Sequence, residues 1–274
     1  MNGQSKQQGA NSGVESIELE GVEHSLVVMS GKGGVGKSTV SANLAASLAE
    51  ETDKNVGLLD ADLHGPDIPK IMGVEGERLG GTEDSIEPAK LDNLKIMSIG
   101  FTLPSDDSPV VWRGPLKMKA IKQFLGDVNW GELEYLIIDL PPGTGDEPLS
   151  IAQVLEDLDG SIVVTTPQDL SLLDSRKAYN FSGKLDLPVL GIVENMSGFV
   201  CPHCGEKTEI FKSGGGEKAA EELGANFLGS IPLDQRIVQT ADEGIPFVKA
   251  YPESDATQSF KEILQEFKSV ISGK

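Results

Sequence analysis

The 274-residue chain carries 23 Lys and Arg against 43 Asp and Glu, a formal net charge of -20 that repels phosphate backbones and anionic headgroups and argues against nucleic-acid or membrane binding through general electrostatics. At 38% hydrophobic residues the composition is that of a globular protein, and no apolar run approaches the roughly 18 to 20 residues that span a bilayer. Residues 1–20 open with a Gln-, Asn-, Ser- and Gly-rich stretch lacking an apolar segment, so they are expected to form a disordered tail and not a secretory signal. The chain is therefore expected in the reducing cytoplasm, with residues 21–274 expected to form one domain.

Along that domain, short β-branched apolar runs alternate with helical stretches. Strands are expected at 26–29, 56–59, 135–138, 161–165, 189–193 and 226–231, and helices between them at 38–50, 115–125, 147–157, 169–182 and 217–223. The strands are too continuously apolar to have one wet face. Burial on both faces specifies an α/β fold with a doubly wound, mostly parallel sheet, whose ligands sit at the carboxyl ends of the strands. Residues 73–101, rich in Gly, Pro and acids, break the rhythm and are expected to form an excursion containing a short hairpin. The last helix, expected at 255–271, aligns Phe260, Ile263, Leu264, Phe267, Val270 and Ile271 on one face. Its polar face mixes acids with lysines where a membrane anchor would be mainly basic, so that face is expected to pack on the core.

The first strand leads into Gly31-Lys32-Gly33-Gly34-Val35-Gly36-Lys37-Ser38-Thr39, a GxxxxGK[ST] match set between a strand and a helix. Glycines there let backbone N–H groups converge on phosphate oxygens, aided by the positive end of the helix. Lys37 is expected to bridge the β and γ phosphates of ATP, and the Ser38 hydroxyl to ligate Mg²⁺.

Lys32, in the second position of the loop, makes the signature narrower. The pattern resembles the deviant Walker-A ATPases, which include the nitrogenase iron protein, MinD and ParA. That resemblance implies that Lys32 reaches across a dimer to the partner's phosphates and acts in hydrolysis together with Lys37. Two further segments fit the same group. Asp60 and Asp62 end the second strand and bring a carboxylate to the attacking water or the magnesium, Asp62 being the catalytic candidate. Asp139 ends the strand at 135–138 and is assigned to Mg²⁺, and a Gly- and Pro-rich turn to Asp146 follows it. Either Asp62 or Asp146 alone also suits a helix cap.

Taken together, DADLHGPDIP (60–69), WRGPL (112–116), PPGTGDEPLS (141–150), VENMSGF (193–199), CPHCG (201–205) and GSIPLD (229–234) resemble the Mrp/ApbC family of iron-sulfur cluster carrier ATPases. The resemblance implies that Asn195 faces the nucleotide base, with Pro232 and Asp234 beside the base or ribose. It also implies delivery of the cluster to apo iron-sulfur proteins, from a donor that the residues do not identify.

Cys201 and Cys204 are the chain's two cysteines, and a Cys-x-x-Cys pair cannot by itself close a tetrahedral metal site or hold a four-iron cluster, both of which take four ligands. A twofold axis supplies the missing pair, so a homodimer bridging one [4Fe-4S] cluster is the leading reading. Zinc bridging the same dimer, or thiols that serve redox chemistry or nothing, stay open. His203, between the thiols, is expected to be a bystander. A ParA/MinD-like positioning switch with incidental or zinc-binding cysteines is the alternative function.

Overall fold

The computed structural model describes residues 17–82, 85–102, 122–155, 158–201 and 203–273. The first half runs β1 (Val22–Met29), α1 (Lys37–Glu51), β2 (Val56–Asp60), α2 (Ile68–Ile71), β3 (Gly80–Gly81), β4 (Ile86–Glu87), β5 (Ala89–Leu91), β6 (Leu94–Ser98) and β7 (Leu133–Asp139). The second runs α3 (Asp146–Val154), β8 (Gly160–Thr165), α4 (Asp169–Lys184), β9 (Val189–Glu194), β10 (Phe199–Val200), β11 (Lys207–Thr208), α5 (Gly215–Leu223), β12 (Phe227–Ser230), α6 (Gln235–Glu243), α7 (Phe247–Ala250) and α8 (Asp255–Ser272).

Eight strands form the central sheet in the order β12-β9-β8-β1-β7-β2-β6-β5. Every pairing is parallel except β5 with β6 at the edge. The period of two along β1 explains why the strands read as unbroken apolar runs. Leu26 and Val28 point into one core, with α1 and α8, while Val27 and Met29 point into the other, with Ile138 and Phe181. Ala42, Ala45 and Ala46 are fully buried, so α1 lies close on the sheet. α8 starts on Ser254, whose side chain accepts the Thr257 N–H, and it buries Phe260, Ile263, Leu264 and Phe267. The apolar face of the last helix is thus core.

The excursion expected at 73–101 is more than a hairpin. β6 pairs in parallel with β2 and extends the main sheet, and the second hairpin strand, β5, forms its edge. Its alternating sequence, interrupted by Lys95, conceals a strand buried over Leu94, Ile96, Met97 and Ser98. Ile17, within the stretch expected to be tail, donates its N–H to Val154 O at 2.7 Å and bridges Leu155. Residues 1–16, and with them most of that stretch, lie outside the described residues, as do 112–116 and most of the helix expected at 115–125, of which 122–125 are helical. Among the described residues no helix is long and apolar enough to cross a membrane.

Candidate functional site

The carboxyl ends of β1, β2 and β7 meet at one point because the register pairs Val28 with Asp139 and Asp139 with Asp60. α1 begins there. Gly36, its N-terminal cap, has φ 80°, and a Cβ on it would lie 2.3 Å from Asn195 Nδ2. Only glycine serves both demands.

Lys37 opens α1 and folds back so that Nζ lies 2.6 Å from Asp139 Oδ2, an ion pair only 6% and 0% exposed. Ser38 Oγ donates to the same oxygen at 2.7 Å, and Ser41 Oγ donates to Oδ1 at 2.6 Å. The structure therefore brings together Lys37, Ser38 and Asp139. Ser41 escaped the motif reading, although it stands one helical turn after Lys37 and so shares its face.

Three more carboxylates surround this knot. Asp60 is buried, and it accepts from Asp62 N at 3.1 Å, Ser98 Oγ at 2.9 Å and Ile68 N at 3.3 Å. Burial first, and then the charge of Asp139, pushes its carboxyl well above the usual range. Asp67 is raised in the same direction by burial and then by Asp62. Asp62 is nearly buried, and its Oδ1 accepts the N–H groups of His64 and Gly65 at 3.1 and 3.3 Å, which shapes the turn after β2. Asp60, Asp62, Asp67 and Asp139 thus gather around one lysine. Among the described residues no three of His, Cys, Asp and Glu converge to hold a metal unaided. Magnesium fits the hard oxygen donors Ser38 and Asp139, because it keeps several waters and takes its remaining ligands from phosphates.

Lys32 is half-buried at the rim of the loop, and its ammonium has no partner among the described residues. Gly33 and Gly34 are exposed beside it. Thr39 lies within the first turn of α1, and Asn43 Nδ2 donates to its carbonyl at 2.9 Å. Asn195, expected to face the base, donates Nδ2 to Val35 O at 2.9 Å and so braces the loop. Pro232 and Asp234 line a cavity of about 270 Å³ together with Phe199, Leu233 and Arg236. Asp234 is held by Arg236 Nη2 at 2.6 Å, and the guanidinium lies 4.6 Å from the Tyr251 ring centroid. The Arg236–Tyr251 stack carries no sequence signal, since it joins helices α6 and α7 across a turn.

The cysteines sit at the end of a β10-β11 hairpin in which Val200 pairs with Lys207. Cys201 is half-buried and Cys204 exposed, and neither is in a disulfide. Cys201 N–H bonds Glu206 O at 3.0 Å, and Gly205 N–H bonds Cys201 O at 2.8 Å, closing the turn. The backbone N–H groups of Cys204 and then His203 aim at the Cys201 sulfur and hold its thiol below the usual range. His203 thus contributes through its backbone while its side chain stands exposed.

A family model described as ParA, NUBPL iron-transfer P-loop NTPase, matches residues 21–268. The chain is 52% identical over 254 residues to a protein of Methanocaldococcus jannaschii named iron-sulfur cluster carrier protein, covering 92% of this chain and 87% of that one. It is 47% identical over 256 residues to a protein of the same name from Saccharolobus solfataricus, covering 93% and 86%. Among solved structures it resembles a nucleotide-binding protein from Archaeoglobus fulgidus in complex with ADP, with a TM-score of 0.75 and 40% identity over 88% of this chain and 93% of that one. The cell division ATPase MinD of Pyrococcus furiosus superposes with a TM-score of 0.67 at 25% identity, covering 90% and 99%.

Proposed function

The chain belongs to the NUBPL iron-transfer P-loop NTPases, and from that premise we propose that it is an ATP-hydrolysing carrier whose cargo is an iron-sulfur cluster. One ATPase domain beginning near residue 21 carries both the nucleotide loop and the thiols. The observation that carries this reading is the hairpin end, where one half-buried and one exposed thiol stand outside any disulfide and backbone N–H groups favour the thiolate of Cys201. Buried structural cysteines would have neither that exposure nor that thiolate.

In the nucleotide half, Lys37 exchanges Asp139 for the β and γ phosphates, and the residues 31–39 wrap them. Ser38 and Asp139 would hold magnesium, which when bound would supply charge neutralisation for the phosphates. Asp62, at the turn after β2, orients the attacking water. Lys32, with no partner in its own chain among the described residues, is free to reach the phosphates of a second copy. The cavity beside Pro232 and Asp234 takes the base or ribose, and Asn195 follows the loop onto the base.

In the thiol half, Cys201 and Cys204 supply two of the four thiolates that a [4Fe-4S] cluster takes, and a second copy supplies the others. The homodimer releases the cluster to apo iron-sulfur proteins in the cytoplasm. Anaerobic reconstitution with iron and sulfide tests this reading. The parent is expected to hold about four irons per dimer, following the four-thiolate requirement, while Cys201→Ala and Cys204→Ala each lose the cluster and keep ATP binding. A cluster intact in either single variant overturns the bridging arrangement. Tight zinc with no iron uptake overturns the cargo.

A further inference from the structure

Glu194 ends β9 fully buried, next to the residue that braces the nucleotide loop. A buried carboxylate is costly unless donors surround it, and here they come from both ends of one segment. Ser197 Oγ donates to Oε1 at 2.5 Å, Gly214 N–H donates to the same oxygen at 2.9 Å, and Gly216 N–H donates to Oε2. A Cβ on Gly216 would come within 2.8 Å of Glu194 Cβ, so the start of α5 is pressed against this side chain. Between Ser197 and Gly214 lie β10, both cysteines and β11. On its other side, Asn195 N–H bonds Thr165 O at 2.7 Å and its side chain holds Val35 O.

We propose that Glu194 is a positioning residue that ties both feet of the cysteine hairpin to the strand end touching the nucleotide loop, so that loop movement at Val35 reaches Cys201 and Cys204. The proposal rests on the reading that the loop binds nucleotide and that the hairpin presents working thiols. The path is short and covalent at its centre. Val35 O is bonded by Asn195, Asn195 is the neighbour of Glu194, and Glu194 holds the two points where the hairpin leaves and re-enters the domain.

The test measures alkylation of the reduced, iron-free full chain by iodoacetamide, with and without Mg-ATP, following each cysteine by mass spectrometry. In the parent, ATP is expected to change the rate roughly fivefold, the lower end of common coupling between sites. Glu194→Gln keeps the shape but sets an amide N–H₂ against a protein donor. In that variant the ratio with and without ATP should fall close to one while calorimetry shows ATP still bound. Ser197→Ala removes one donor of three and should give an intermediate ratio; if Glu194→Gln does not fold, this variant decides. A parent ratio kept in the variants overturns the proposal, as does a parent that binds ATP with no change in thiol reactivity. Because no iron is present, a chain that couples ATP to its thiols yet takes up no cluster supports the link and refutes the cargo.

Discussion

Lys37→Met isolates the buried knot at the base of the nucleotide loop. The variant leaves Asp139 with no exposure and without the ammonium that lies 2.6 Å away. Removing one partner of a buried ion pair costs about 3–5 kcal/mol. Ser38 and Ser41 still donate to the stranded carboxylate, which favours the lower figure. In a chain of this size about 3 kcal/mol corresponds to a fall in Tm of about 6–12 °C. Asp139→Asn strands the lysine instead and should cost about as much. The double variant removes both charges and should recover most of the loss, giving a coupling of about 2 kcal/mol or more. Urea unfolding followed by circular dichroism, without nucleotide or magnesium, reads all four proteins. Single variants within about 0.5 kcal/mol of the parent, or losses that simply add in the double variant, would refute the reasoning.

Gly36→Ala should cost about 2–3 kcal/mol, from the left-handed backbone and from the Asn195 hydrogen bond that the new Cβ displaces, with a matching loss of ATP affinity by calorimetry; unchanged affinity contradicts it. Lys32→Ala should keep most ATP binding and lose hydrolysis, since a contact across the dimer acts mainly as charge develops; equal turnover in variant and parent sinks the trans role. Asp60 has a folded pKa above its unfolded value, so its contribution is full below the unfolded pKa near 3.9 and is lost as pH rises toward the folded one. Asp60→Asn, neutral throughout, should therefore gain stability over the magnesium-free parent as pH rises above about 4, by at most about 1.4 kcal/mol per pH unit; a difference independent of pH contradicts the shift.

The nucleotide half was legible because each part is local. A β-branched run, a glycine loop and a lysine-led helix specify strand, cradle and anion site within 30 residues, and the apolar strand before Asp139 announces where that carboxylate emerges. What stayed hidden depends on contacts between distant segments. Ser98 meets Asp60 only because β6 joins the sheet beside β2, and the Gly- and acid-rich approach to β6 masks that strand. Glu194 reads as one acid at the end of an apolar strand, and its donors come from residues up to 22 positions away. Asn195 was singled out by motif, while its hydrogen bond to Val35 O, made close beside Gly36, joins segments 160 positions apart and carries no sequence signal. The cysteine pair was visible as a pair, while the hairpin register that aims N–H groups at Cys201 was not.

Native mass spectrometry of the chain reconstituted without oxygen tests the bridging cluster most directly, since it weighs the subunits and cargo together. The account predicts a dimer carrying one four-iron, four-sulfide cluster, which splits into cluster-free monomers when Cys201 or Cys204 is changed to Ala. A monomer that retains the whole cluster, or a dimer carrying zinc alone after exposure to iron and sulfide, would contradict it.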